Sequence, residues 1–426
     1  MSYDFTMGIE VLTLGQSDLV RGTYGPDYSN KYVIAMAITA PGRLDRRRFE
    51  VAAQNMESSH PALRTSLTSL TSVSLSRQVV SDHISGQSRA IHLSVFPDGD
   101  DIQYAMDRHV RAMAEQFDVV DGKTWGTVHV VGESRDYVVF VFNHVLADLV
   151  SAAQFVRTFT RSYARERCAP SMKDTYVEFL RELESHWLRT PGADENWWMQ
   201  RPWDSISEIP QLQSEDANQG SAAMQRFDRI NGADIASNFD EGLAISALAQ
   251  AVQESTSLDH IRIDAAVHGR CDSLRRGAGG WVAHALPFIL NNSNHAADVE
   301  ATKSAADSWP ASFQRVRSQS NLPLQQQISG HAFVNFFGSF NPAKWKSDGF
   351  TASPVQPMYK PSGGTSSTPI RLKIQKQASD WVFAWSFSPR FGTQSLPNEI
   401  ATQTIAALSF ESAKAKRNRV LVTAAK

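Results

Sequence analysis

The sequence predicts a mixed α/β protein built as two lobes of similar element order, and three observations predict it. At 426 residues the chain is too long for one small core and suits two domains of about 200 residues each. Runs rich in aromatic and β-branched residues alternate with segments whose apolar residues recur at helical spacing, on both sides of a polar break at Gln211–Gly220. The run Tyr137–Phe142, YVVFVF, is apolar throughout, as in a strand buried on both faces. The expected lobes are residues 1–210 and 211–426.

In the first lobe, Lys31–Thr39 carries Tyr32, Val33, Ile34, Met36 and Ile38 and reads as a strand ended by Pro41-Gly42. Asp45 can cap a helix whose buried stripe is Phe49, Ala52, Ala53 and Met56. That helix stops before Pro61, and Ala62–Leu67 reads as the start of the next strand, followed by a Ser/Thr-rich loop at Thr68–Ser76. Asp101–Ala114 is a helix on Ile102, Ala105, Met106, Val110 and Met113. Trp125–Val131 and the strand beginning at Tyr137 form a hairpin across Gly132–Asp136. Helices follow at Ser151–Arg165 and at Thr175–Arg189, the latter with Tyr176, Phe179, Leu180, Leu183 and Trp187 on one face.

The second lobe repeats this architecture without visible sequence repetition. Ala244–Val252 reads as a helix, and His260–Val267 alternates Ile261, Ile263, Ala265 and Val267 as a half-buried strand does. The glycine-rich run Arg275–Gly280 lacks the Gly-Lys-Ser/Thr ending of a phosphate loop and reads as a flexible loop. Phe333–Phe337 is a strand. Asn341–Thr368 is too long for an ordinary connection, holds several Gly and Pro residues and shows no helical stripe. Ile370, Leu372 and Ile374 pair with Trp381–Phe387 across a turn near Ala378-Ser379-Asp380. A last helix, Glu399–Ala413, precedes a basic tail read as a solvated end.

Composition excludes several classes. A formal net charge of −2 argues against a dedicated nucleic-acid binder. Cys168 and Cys271 are the only cysteines, with no Cys or His at zinc spacing, so neither a disulfide framework nor a structural metal is expected. The opening MSYDFTMG has no basic region followed by an apolar core, and no apolar run approaches the ~18 residues of a membrane span. A cytoplasmic protein without a membrane partner is the expectation.

The chemistry-bearing stretch is Tyr137–Leu149, YVVFVFNHVLADL. A strand from the interior ends at Asn143 and delivers His144, then Asp148 four residues on, before a helix. A strand, polar loop and helix hold a side chain still at the end of a rigid element. An imidazole there is suited to general-base work near neutral pH. On spacing alone, a histidine near a strand end is more often a satisfied core residue than a catalyst. No Ser or Cys lies at a recognisable nucleophile elbow, so a covalent acyl-enzyme is not called for.

Asn143–Leu149 resembles the His-His-x-x-x-Asp-Gly motif of nonribosomal peptide synthetase condensation domains, in the chloramphenicol acetyltransferase-like superfamily of His-x-x-x-Asp acyltransferases. The resemblance extends over nearly the whole chain. Ser59–Thr65 (SHPALRT) is similar to the family's "HpaLRt" segment, Gln116-Phe117-Asp118 to its "pFD" and Asn196-Trp197-Trp198 to its "yW". Val267-His268-Gly269-Arg270 resembles its "v-x-g-R", and Gly280–Pro287 its "G-x-f-v-n-x-l-P". Two positions depart from the motif: Asn143 replaces its first His, and Leu149 replaces the Gly after its Asp.

The resemblance implies two acetyltransferase-like lobes in a V-shaped pseudo-dimer, with the active site in a tunnel between them and the long loop near 341–368 bridging. It implies that His144 is catalytic, with Asp148 pairing with Arg270, and Asn143 in support. Trp281, Asn335 and Leu149 are then expected against substrate. The implied reaction joins an acyl or peptidyl thioester, carried on the phosphopantetheine arm of a carrier protein, to an amine or hydroxyl acceptor. No tightly bound cofactor and no metal are implied. Two alternatives share these residues. One is a terminal condensation domain that releases product by cyclisation; the other is a catalytically silent docking module, since two departures within seven residues could be early erosion.

Overall fold

The chain separates into two compact units. The first comprises Met1–Arg189, His268–His284 and Pro342–Gly364; the second comprises Thr190–Val267, Ala285–Asn341 and Thr365–Lys426. The computed structural model describes residues 7–9, 12–13, 16, 25–70, 76–81, 90–92, 100–165, 174–189, 192–212, 223–235, 239–292, 294–308, 313, 316, 330–338, 345–353, 358–359 and 368–424.

The first unit is organised by a sheet whose strands lie in the order Lys346–Ser347, Phe350–Ser353, Val33–Thr39, Asp136–Asn143, Trp125–Val131 and Ala90–His92. Asp136–Asn143 lies between two long antiparallel neighbours, with Val33 opposite Asn143 and Trp125 opposite Phe142. Both of its faces are covered, which is why the run Tyr137–Phe142 inside it carries no charged residue. On one face, Val139 and Val141 join Val33, Ala35, Val128 and Val130 against Ile102, Met106, Val110 and Met113 of helix Asp100–Ala114. On the other, Phe140 and Phe142 meet Phe159 and Phe155 of helix Leu149–Arg165 edge-on, at centroid distances of 5.0 and 5.3 Å. Helix Arg46–Ser59 packs beside Leu149–Arg165. It starts where the sequence places it, with the Asp45 carboxylate accepting from Arg48 N.

Three local readings change. Pro61–Arg64 is a short 3₁₀ turn, not the start of a strand, because proline presets the helical φ of a first turn; the strand is Thr65–Leu67. The stretch expected as a long loop contributes strands: Phe350–Ser353 and Met358–Tyr359 both pair antiparallel with Val33–Thr39. Strands of two to four residues are too short to show an alternation in sequence. The glycine-rich run holds a short helix, Ser273–Gly277, capped by Asp272.

The second unit carries a mixed sheet in the order His284–Asn291, His260–Val267, Ala332–Gly338, Ile370–Gln377, Asp380–Phe387 and Met224–Asn231. The hairpin Ile370–Gln377/Asp380–Phe387 forms as predicted, turning through Ala378 at φ +54°. Ile370, Leu372, Ile374, Phe383, Trp385 and Phe387 are buried on one face. Helix Glu241–Thr256 lies on strands His260–Val267 and Ala332–Gly338, flanked by helices His295–Ser308 and Ser395–Ala424. The last helix is longer than its apolar stripe suggests: its backbone runs through the basic segment to Ala424.

Candidate active site

His144 follows the last residue of the central strand, where the pairing with Val33–Thr39 ends. Its main-chain N–H donates to the Tyr32 carbonyl at 2.8 Å, so the chain direction is still set by the sheet as it enters the loop. The imidazole is buried, 9 % exposed. Two aromatic rings lie against it, Tyr32 at 4.6 Å between centroids and Trp281 at 4.3 Å.

Asn143 is fully buried and uses its amide completely. Nδ2 donates to the carbonyls of Ser29 (3.1 Å) and Asn30 (2.6 Å), and Oδ1 accepts from Val145 N at 2.8 Å. Ser29 and Asn30 lie in the last turn of helix Gly25–Lys31, where carbonyls lack intrahelical donors. Asn143 thus ties that helix end to the loop carrying His144.

Asp148 caps the next helix, Leu149–Arg165. Its Oδ1 accepts from Ser151 N at 2.8 Å, the bond of an N-cap residue. Arg270 grips both carboxylate oxygens, Nη1 to Oδ2 at 2.8 Å and Nη2 to Oδ1 at 3.0 Å. Val282 N and Ala283 N each donate to Oδ2 at 3.0 Å. Burial pushes the carboxyl pKa up, but the charge and hydrogen bonds of Arg270, with those from Ser151 and Ala283, outweigh it and hold the group below the ordinary carboxylate value. Asp148 is therefore an ionised strut whose oxygens are fully engaged, joining the strand–loop–helix unit to segment His268–His284.

Two residues complete this lock without having been singled out in the sequence. The Ser151 hydroxyl accepts from Arg270 Nη2 at 2.7 Å and shares its proton between Asp148 Oδ1 and the Gly280 carbonyl. Asp174 holds the same segment from behind: Oδ1 accepts from Gly279 N at 3.0 Å, while Oδ2 meets His60 Nδ1 at 2.7 Å. His60 Nε2 in turn reaches Thr158 Oγ1 at 2.8 Å. The glycine-rich run is thus a fixed wall of the site rather than a flexible loop. A Cβ on Gly280 would stand 2.1 Å from the Tyr176 ring, so only glycine lets the backbone pass. Gly269 has φ +65°, the left-handed conformation that turns the chain into Arg270.

Leu149 is the first residue of helix Leu149–Arg165 and is half-buried; its φ is not positive, so nothing in the backbone demands glycine there. Trp281 is half-buried and packs against the cluster of Tyr28, Tyr32, Val145 and Leu146. Asn335 belongs to the second unit, on strand Ala332–Gly338, opposite Ala266 and Lys373. The remaining motif segments are structural in their contacts. Asp118 Oδ1 accepts from Val120 N and Asp121 N in a turn, Phe117 is in the first unit's core, and Trp198 is buried against Phe313. Among the described residues no three His, Cys, Asp or Glu side chains are grouped to hold a metal ion, and no helix is long and apolar enough to cross a membrane.

The family model described as "Condensation domain" matches residues 26–326. The chain belongs to the condensation-domain family. Among curated proteins it is similar to tyrocidine synthase 2 of Brevibacillus parabrevis, 25% identical over 189 residues, which are 43% of this chain and 5% of that protein. The matched region is thus a small part of a much longer relative.

Solved structures show the fold of this condensation domain to be the two-lobed, chloramphenicol acetyltransferase-like α/β fold. The epimerization domain from the third module of tyrocidine synthetase B aligns with a TM-score of 0.70 at 14% identity, over 95% of this chain and 97% of that one. The condensation domain of the Monacolin K polyketide synthase aligns at 0.68 and 14%, over 96% and 98%. The starter condensation domain of rhizomide synthetase aligns at 0.68 and 15%, over 96% and 97%. In this condensation domain the motif's departures keep its frame: Asn143 is bonded at each polar atom of its amide, and Leu149 sits in helical backbone beside an intact Asp148–Arg270 pair.

Proposed function

We propose that this condensation domain is an active acyltransferase in which His144 serves the attacking nucleophile. The donor is an acyl or peptidyl thioester on the phosphopantetheine arm of a carrier protein, as in nonribosomal peptide or related biosynthesis. The acceptor is an amine, or a hydroxyl. As the amine attacks the thioester carbonyl, the new C–N bond forms, the C–S bond breaks, and the departing sulfur leaves as the arm's thiol. His144 takes the proton from the attacking nitrogen or orients it by a hydrogen bond, a role usually worth about 10²–10⁴ in rate. Positioning of the two substrates supplies the rest.

The observation that carries this reading is the lock behind His144. A buried, ionised Asp148 accepts from Arg270, Ser151, Val282 and Ala283, and so fixes the loop that presents the imidazole. The joint retention of His144, Asp148 and Arg270 argues against a silent docking module. Trp281, against the His144 ring, is the residue we expect to meet substrate first; Asn335 is proposed as a substrate contact on the family resemblance.

The deciding experiment offers the purified protein simple N-acetylcysteamine acyl thioesters and free amines, with product read by mass. Transfer that falls by about 10²-fold or more in His144→Ala at unchanged melting temperature is expected. No transfer from carrier-loaded or free thioesters would favour the docking reading, and intramolecular ring closure of a linear peptidyl thioester would favour the cyclising one.

A further inference from the structure

The group that acts in a site of this kind has to be held in one plane, and His144 has a neighbour that holds it twice. The Tyr32 carbonyl accepts the His144 main-chain N–H at 2.8 Å, and the Tyr32 ring lies 4.6 Å from the imidazole, inclined by 47°. Trp281 meets the same imidazole at 4.3 Å and 41°. Tyr32 is itself fixed. It is 9 % exposed, its N–H donates to the Tyr28 carbonyl at 2.8 Å, and its ring lies 5.5 Å from that of Tyr28. It immediately precedes the strand in which Val33 pairs with Asn143, so Tyr32 and His144 leave the sheet together at one end of the same strand pair.

We propose that Tyr32 is a positioning residue for His144: its ring face and its carbonyl together set the plane and direction in which the imidazole meets the nucleophile. The proposal rests on His144 being the group that does so. The torsion that turns an imidazole is broad and only roughly two-fold, so an unsupported ring samples many planes. Proton transfer needs the donor and acceptor aligned within a few tenths of an ångström, and small misplacements far from the bond being made cost up to about 10²-fold. Flat rings within contact distance exclude most of the rotation. Trp281 alone is a weaker stop, because it is half-exposed while Tyr32 is anchored in the core of the first unit. In this proposal the action is that of the flat face of the ring, which lies 4.6 Å from the imidazole.

The test compares Tyr32→Phe, which keeps the face, with Tyr32→Leu, which keeps apolar bulk and loses it. With N-acetylcysteamine acyl thioesters and an amino-acid amide, Tyr32→Leu lowers kcat by about 10- to 100-fold with KM within about twofold, and Tyr32→Phe returns kcat to within about threefold of the parent. Nitrogen-15 NMR of the imidazoles, with the His144 signal assigned by its loss in His144→Ala, shows one narrow tautomer in the parent and in Tyr32→Phe, and a broadened or averaged signal in Tyr32→Leu. Should Tyr32→Leu not fold, Tyr32→Met carries the same expectation. Unchanged kcat and an unchanged His144 signal in the Leu or Met variant would overturn the proposal, as would Tyr32→Phe falling as far as they do. If His144→Ala turns over like the parent, the catalytic reading of His144 fails instead, and the NMR comparison still decides whether Tyr32 holds the ring.

Discussion

Arg270 and Asp148 form a bidentate pair, at 2.8 and 3.0 Å, between residues 122 positions apart in sequence. Both side chains are almost wholly shielded, 6% and 5% exposed. Removing one partner leaves a buried charge without its counterion, which costs about 3–5 kcal/mol. Asp148→Ala is expected to lose that much stability by urea unfolding and most of its turnover. The double variant Asp148→Ala/Arg270→Met is expected to be less destabilised than the sum of the two single ones, the mark of direct coupling. Additive losses would mean that the pair acts as two separate contacts.

Asn143 answers the question of erosion. Its amide donates to the Ser29 and Asn30 carbonyls and accepts from Val145 N. A neutral imidazole offers one donor and one acceptor, and an imidazolium offers no acceptor. Asn143→His, which restores the family residue, must leave one of these buried groups unpaired, at about 1–3 kcal/mol. We expect it to melt earlier than the parent and to gain no activity. A more stable or faster Asn143→His would show that the asparagine is decay rather than fit.

His284 gives the fold a pH dependence of its own. Burial pushes it down from 6.5 to about 4, against the bond it donates to the Val282 carbonyl, while Arg275 and His268 push the same way as burial. The unfolded chain binds this proton below 6.5 and the folded chain only near 4, so the neutral form's contribution is full above 6.5 and is lost as pH falls toward 4. The difference amounts to about 3 kcal/mol. His109, His295 and His331 are also lowered and add in the same direction. The measurement is therefore a comparison: between pH 7 and 4.5 the melting temperature of His284→Asn should fall less than that of the parent. Parallel curves would assign the acid sensitivity elsewhere.

Much of the frame was legible because it is repetitive. A run from Tyr137 to Phe142 with no charged residue needs two covered faces, and both coverings are present in the described residues. Asp45 and its four inward residues announce a helix in the same way. Periodicity fails where elements are short, hence the missed strands Phe350–Ser353 and Met358–Tyr359 and the 3₁₀ turn at Pro61. In the site, His144 and Asp148 were legible from their place at the end of a strand, whereas the Arg270 partner was reached only through the family resemblance. Ser151 and Tyr32 were not legible at all. Ser151 matters because a distant backbone carbonyl, that of Gly280, comes within reach, and Tyr32 because Val33 pairs with Asn143. Neither relation leaves a mark in local sequence.

Leu149 is the last residue to be placed by experiment, and its helical position argues for packing over selectivity. Residues three, four and seven positions on are Ala152, Ala153 and Val156, all buried, so Leu149 continues the inward stripe of helix Leu149–Arg165 at its first turn. The opposite possibility is that its four side-chain carbons narrow the space beside His144 and restrict the acyl group or acceptor. Leu149→Gly separates the two. Emptying a fully buried leucine site costs about 2–5 kcal/mol, and a residue that is only half-buried loses proportionately less. Glycine in a helix adds up to about 1 kcal/mol. We expect a loss of about 2 kcal/mol by urea unfolding, with the ranking of small, linear and aromatic acyl thioesters unchanged. A variant that keeps its stability and accepts bulkier thioesters would instead make Leu149 part of the substrate wall, and the glycine of the family motif would then be read as the space this chain has filled.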